Sequence, residues 1–183
     1  KVLAEFDLLP AIFFMKSRKD CDAALTQCPE SLLQDPERRA RIEARLLSIF
    51  ERNPHLGGHK QARFLTTCAA AAHHSGHLPA WKLVVEGLME EGLLDAVFAT
   101  STVAAGVNFP ARTVVIFNSD RYNGVEFSPL TPTEFHQMTG RAGRRGLDSI
   151  GFALMVPGAH MDLERVGALV AAGPGPVISR LKI

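Results

Sequence analysis

Cysteine is scarce in this sequence: Cys21, Cys28 and Cys68 are the only three among 183 residues. Their number is odd and no CxxC spacing occurs, so neither a disulfide framework nor a zinc ribbon is indicated, and a reducing, cytoplasmic setting is expected. Tryptophan and tyrosine occur once each, and neither sign of charge prevails: 20 Lys and Arg stand against 19 Asp and Glu, for a formal net charge of +1. No overall field therefore draws in nucleic acid or a membrane, and any basic surface must be local. No apolar run approaches the ~18 residues of a membrane span, and no signal peptide opens the chain, so no membrane partner is expected. The 15 glycines and 11 prolines follow no period, which excludes collagen-like and low-complexity chains.

What is present is an ordinary globular composition, 46% hydrophobic and 21% charged, in a length suited to one domain. The chain opens on Lys1 with apolar pattern almost at once, and is read as a segment of a longer polypeptide. AIFFM, residues 11–15, is a short buried strand, after which Ser17 caps a helix through Leu25. Asp35-Pro36 starts a helix carrying Ile42, Leu46, Ile49 and Phe50 at helical spacing. Residues 69–73 read weakly as a strand, because alanine has poor strand propensity. Pro79 opens a helix closed by Gly92. Strands follow at 96–99 and 113–117, with a short helical stretch around Val103 between them. Thr131-Pro132-Thr133-Glu134 is a capping box that launches a helix toward Ala142. A strand at 151–156 and a helix at 162–171 complete the pattern. The alternation predicts an α/β fold, with a mostly parallel sheet covered by helices on both faces. Residues 1–172 form the domain, and 173–183, rich in Gly and Pro at their start, read as a linker toward a following domain.

In an open α/β sheet ligands meet the loops at the carboxyl ends of the strands. Four loops qualify: Lys16-Ser17-Arg18, His73-His74-Ser75-Gly76, the stretch 100–108, and the segment before the capping-box helix. The most informative string is QMTGRAGRRG, residues 137–146. Arg141 and Arg144 lie three apart among Gly140, Gly143 and Gly146, so two guanidinium forks can project with little steric cover, as phosphate binding needs. A solvated basic helix end is the plainer alternative. The arginines of the helix after Asp35, interleaved with Glu37, Glu43 and Glu51, read as a solvated face. His55, His59, His73, His74 and His77 with Cys68 lack metal-ligand spacing, and no metal site is expected. No cysteine has an assignable histidine partner for nucleophilic chemistry.

QMTGRAGRRGLD at 137–148 resembles the last motif of superfamily-two DExH helicases in their superkiller-like form. FATSTVAAGVNFPARTVVI at 98–116 is similar to the family's motif V, HHSGHLP at 73–79 to its HHSG segment, and IFFMKSRKDCDAAL at 12–25 to motif IV. The resemblance spans nearly the whole chain in family order. It implies the C-terminal, second RecA-like domain of a helicase motor, a three-layer fold that holds ATP against an N-terminal RecA-like domain of the same parent chain. The sequence contains no GxxxxGK[ST] and no DExH, so the phosphate loop and the Mg2+ ligand are expected on that first domain, and the fragment alone is not expected to hydrolyse ATP.

Carried over by motif, Arg141 and Arg144 are arginine fingers reaching the γ-phosphate. Gln137 lines the nucleotide interface, while Gly106 and Asn108 approach the nucleotide, Asn108 standing where some relatives use aspartate. Thr100, Ser17 and Arg18 contact the phosphates of single-stranded RNA or DNA, with RNA favoured by the HHSG and GRAGRRGLD wording. The fragment is expected to be monomeric, and the resemblance implies that the parent helicase travels three-prime to five-prime. A nucleotide-independent RecA-like scaffold and a DNA-repair helicase domain are the alternatives.

Overall fold

The computed structural model describes residues 2–30, 32–101, 109–122 and 125–175. A short helix α1 (Val2–Glu5) precedes strand β1 (Ala11–Met15) and helix α2 (Arg18–Thr26). Ser17 caps α2 as its type predicts, its hydroxyl accepting from the Asp20 amide and donating to Asp20 Oδ2 at 2.8 Å. Helix α3 (Pro36–Arg52) starts where Asp35 takes the Glu37 and Arg38 amides, with proline in the first turn. A 3-10 turn (Pro54–Leu56) and a helix not foreseen in the sequence, α4 (Ala62–Cys68), then lead to β2 (Ala70–His73), α5 (Pro79–Glu90) and β3 (Ala96–Thr100). After β4 (Thr113–Ile116) comes an antiparallel hairpin, likewise unforeseen, of β5 (Asp120–Tyr122) and β6 (Phe127–Pro129). Helix α6 (Pro132–Thr139), β7 (Phe152–Met155) and α7 (Leu163–Ala172) complete the described elements.

Five strands form one parallel sheet in the order β2-β3-β1-β4-β7. Because side chains alternate along a strand, Ile12, Phe14, Val97, Ala99, Val114 and Ile116 enter one core with Trp81 of α5, Phe135 and Met138 of α6, and Val166 and Leu169 of α7. On the opposite face Met15, Phe98, Ala70 and Ala72 pack with Cys21 and Leu25 of α2 and Phe64 and Cys68 of α4. Helices on both faces of a parallel sheet are the expected α/β, three-layer arrangement.

The expected strand at 69–73 begins one residue later. Ala69 has φ 50° and caps α4, so the chain turns sharply from helix into strand. Four weak strand formers hold a strand here because burial overrides propensity: residues 70–73 are all buried between helices, and alanine lets those helices approach closely. As an edge strand β2 has an unpaired donor, the Ala72 amide, which Gln61 Oε1 accepts at 3.2 Å. The capping-box helix stops at Thr139 rather than running to Ala142, with Gly140 as its C-cap. No helix among the described residues is long and apolar enough to cross a membrane.

Candidate nucleotide and nucleic-acid site

The capping box seats α6 at its start: Thr131 N donates to Glu134 Oε2 at 2.9 Å and Glu134 N to Thr131 Oγ1 at 3.3 Å. Glu134 also pairs with Arg121 of the hairpin. The helix runs back against the direction of the strands, so its end lies at the amino end of the sheet. There Gly143 N donates to Ala111 O at 2.8 Å and Ala111 bridges Ala142, just ahead of β4. Gly143 and Gly146 take φ of +89° and +78°, which a side-chain-bearing residue rarely adopts. Gly151 passes so close to this turn that a Cβ on it would lie 2.4 Å from Ala142 C and Gly143 N.

The turn forms one wall of a cleft of about 380 Å3 lined by Arg141, Arg144 and Arg145 together with Pro10, Met89 and Phe109. Gln137 is exposed on α6 one turn earlier, and Met138 is buried beneath, as packing. Arg144 is anchored by a residue the sequence reading did not single out. Its Nε donates to Asp148 Oδ2 at 2.8 Å and its Nη2 to Asp148 Oδ1 at 2.9 Å, and its backbone N–H reaches Oδ2 at 2.9 Å. The Asp148 side chain is 1% exposed, and the hydrogen bond from Arg144 holds its carboxyl down at about 2. Arg112 Nη1 approaches the same carboxylate at 3.4 Å. Its spacing gave little signal, since residues 144–148 form a turn and not a helix.

Ser17, Arg18 and Thr100 gather at the carboxyl end of the sheet. β1 and β3 are neighbours in register with Met15 opposite Thr100, so the loops leaving them start side by side. The Ser17 hydroxyl is engaged as a helix cap, Arg18 is exposed, and the Arg18 side chain lies against Gly76 of the HHSG loop. Gly106, Asn108 and the helical stretch around Val103 lie outside the described residues. Arginines of α3 are tied to the body of the domain: Arg38 makes a two-pronged pair with Asp95 at 2.8 and 2.6 Å, and Arg45 meets Glu91 at 2.8 Å.

Asp22, His74 and His77 converge, their potential ligand atoms all within 4.8 Å of one another. Hydrogen bonds engage the His74 ring and the His77 Nε2 that faces this group. Gly76 N–H donates to His74 Nδ1 at 3.1 Å, so His74 Nε2 carries the proton it directs at Asp22 Oδ1, 3.2 Å away. Gln61 Oε1 receives the Ala72 and Trp81 N–H groups, which turns its amide nitrogen toward His77 Nε2 at 3.0 Å. The cluster is thus a hydrogen-bonded brace between α2, α4 and the HHSG loop. His73 is buried and bonds Glu86 at 2.8 Å beneath Phe109. Burial pushes the Cys21 thiol up to about 12 and Cys28 to about 11, so both stay protonated and unreactive at neutral pH.

Burial, with the neighbouring His74 next in effect, lowers His77 to about 4, so the folded chain binds its proton less readily than the unfolded one. Stability is then fully present above the ordinary value near 6.5 and is lost as pH falls toward 4, by roughly 3 kcal/mol at most. Urea midpoints at pH 7 and pH 4.5 are expected to differ more in the native sequence than in His77→Gln. Equal pH dependence in the two would show that His77 does not titrate low.

The helicase conserved C-terminal domain family matches residues 58–146. The chain is 42% identical over 188 residues to the probable helicase HelY of Mycobacterium tuberculosis, covering 98% of this chain and 21% of that protein. It is 40% identical over 174 residues to the chloroplastic DExH-box ATP-dependent RNA helicase DExH15 of Arabidopsis thaliana, covering 95% and 15%. It is 34% identical over 160 residues to the human exosome RNA helicase MTR4, covering 85% and 15%. The chain therefore spans between 15% and 21% of the length of these relatives. A parallel α/β domain with a glycine-flanked arginine turn, matched across its length by these proteins, belongs to the superfamily-two DExH helicases of the superkiller-like group, as their C-terminal RecA-like domain.

Proposed function

We propose that this chain is the second motor domain of an ATP-dependent helicase that moves along single-stranded RNA and couples ATP hydrolysis to duplex unwinding. One observation carries the reading: the arginine turn and the Ser17–Arg18–Thr100 group sit at opposite ends of a single parallel sheet. A rigid layer of this kind can transmit a nucleotide-driven displacement at one end to a strand held at the other. Residues 1–172 form the motor domain and 173–183 the linker that follows.

ATP binds between this domain and a first RecA-like domain of the same parent chain. Arg141 and Arg144 stabilise the charge that builds on the γ-phosphoryl oxygens, and Gln137, Gly106 and Asn108 line the interface. Among the described residues lining the arginine cleft, Glu90 is the one carboxylate where Mg2+ needs several oxygens, and the sequence has neither GxxxxGK[ST] nor DExH, so the metal and the phosphate loop are expected on the first domain. Ser17, Arg18 and Thr100 hold strand phosphates without reading bases. RNA as the strand is supported by the names of two relatives, both RNA helicases. Three free thiols, two of them buried, suit a reducing cytoplasm.

In the full-length protein, Arg18→Ala with Thr100→Val is expected to raise the RNA concentration for half-maximal ATPase stimulation by roughly tenfold or more, leaving the maximal rate unchanged. The salt dependence becomes shallower because a phosphate contact is gone. An unchanged half-saturation point and salt slope would remove the strand from this end of the sheet.

A further inference from the structure

Asp148 holds Arg144 by one edge only. A guanidinium presents two usable edges: a side edge formed by Nε and one Nη2 hydrogen, and an end edge formed by Nη1 and the other Nη2 hydrogen. The Asp148 carboxylate takes the side edge with both oxygens, at 2.8 and 2.9 Å, and also receives the Arg144 backbone N–H. Three N–H donors remain, two of them on the end edge, on a side chain that lines the 380 Å3 cleft and is 24% exposed. An edge of this shape matches two oxygens of a phosphate.

The carboxylate is itself fixed. It is 1% exposed, receives Arg112 Nη1 at 3.4 Å, and stands in the short turn in which the Asp148 and Leu147 amides both donate to Arg144 O, at 2.9 and 3.0 Å. Arg112 in turn lies over the Phe152 ring at 5.9 Å, and Phe152 N donates to Arg112 O at 3.0 Å, so the support runs into β7. A long flexible arginine thus has its head group anchored before any ligand arrives.

We propose that Asp148 is a positioning residue for ATP hydrolysis, holding the side edge of Arg144 so that the end edge meets the γ-phosphoryl group already aligned. The inference rests on the assignment of Arg144 to the nucleotide under the proposed function. A displacement of about an ångström in a catalytic group costs on the order of 10²-fold in rate. Two substitutions probe it. Asp148→Asn keeps one acceptor oxygen and removes the charge; Asp148→Glu keeps the buried charge, which Arg112 also meets, and pushes the head group outward by one methylene.

In the full-length protein, with RNA saturating and rates corrected for the folded fraction, each substitution is expected to lower kcat ~10²-fold while leaving KM for ATP within about threefold. The same substitutions made on an Arg144→Ala background are expected to lower kcat no further, because the residue they position is absent. A merely structural acid would reduce the folded fraction and leave kcat per folded molecule alone. Unchanged kcat in Asp148→Glu, or an equal loss with and without Arg144, overturns the positioning role. If Arg144→Ala itself leaves strand-stimulated hydrolysis intact, it is the nucleotide assignment of the arginine turn that fails.

Discussion

Arg144→Ala in the full-length protein is expected to abolish most strand-stimulated ATP hydrolysis, with kcat falling by ~10³-fold or more. The magnitude follows from the role proposed for the side chain at the moment of transfer. Negative charge on the γ-phosphoryl oxygens is greatest in the transition state, and a donor pair that is already oriented stabilises it with no reorganisation. The Asp148 carboxylate supplies that orientation, and the same hydrogen bond raises the Arg144 proton affinity further, so the group stays cationic across any accessible pH. KM for ATP is expected to change much less than kcat, as for an interaction made chiefly in the transition state. Lysine at this position should not restore the rate, since an ammonium has no fork to divide between a carboxylate and a phosphate. Steady-state ATPase assays with saturating RNA check the pair of substitutions. Equal loss in KM and none in kcat would make Arg144 a ground-state binder.

Gly151→Ala should have the second-largest effect, although residue 151 is not assigned any contact with ligand. Its Cβ would fall 2.4 Å from Ala142 C and Gly143 N, main-chain atoms that cannot swing aside as a side-chain tip would. The whole turn carrying Arg141 and Arg144 must then move away from β7, and the Gly143 N to Ala111 O bond at 2.8 Å is strained or lost with it. We expect kcat to fall on the order of 10²-fold from misplacement of the arginines. Thermal stability should drop as well, by about 1–3 kcal/mol, the usual cost of overpacking. Gly158→Ala is the matched control, because nothing lies within 4 Å of its added carbon. Turnover and melting temperature measured on both variants test the point; a Gly151→Ala protein as active as the control would show that the turn tolerates displacement.

Local signals that need no tertiary partner were legible in the sequence. The Ser17 and Asp35 caps and the capping box of α6 follow from short runs whose hydrogen-bonding partners lie within three residues, and β1 from a compact apolar run bounded by Pro10 and a polar cluster. Helix α4 was not legible, because seven residues without a side-chain cap carry little periodic signal, and its C-terminus turns directly into the alanine strand β2. The hairpin at 120–129 offered only three-residue strands. Alanines at 70–72 could be weighed as a strand only weakly, since what makes them one is burial by helices from distant parts of the chain.

The site divided in the same way. Residue types and spacing singled out Arg141 and Arg144, whereas the rule that ligands gather at strand carboxyl ends named four loops that do not include them. The antiparallel return of α6 carries them to the amino end, where Ala111 and Ala142 pair. Asp148 escaped notice because its importance comes from burial, which an acid in a glycine-rich turn does not advertise. The histidines lacked metal-ligand spacing in the sequence, but their role in bracing α2, α4 and the HHSG loop was not legible, since it depends on the orientation of the Gln61 amide and on which ring nitrogen accepts the Gly76 N–H.

The central claim, that this domain completes an ATP-driven motor on a nucleic-acid strand, is tested most directly by ATP turnover of the full-length protein with single-stranded RNA, with single-stranded DNA and with neither, alongside Arg144→Ala. Turnover stimulated by a strand, more by RNA than by DNA, and lost with Arg144 is the predicted result. No turnover under any of the three conditions, or stimulation that survives loss of Arg144, would contradict it.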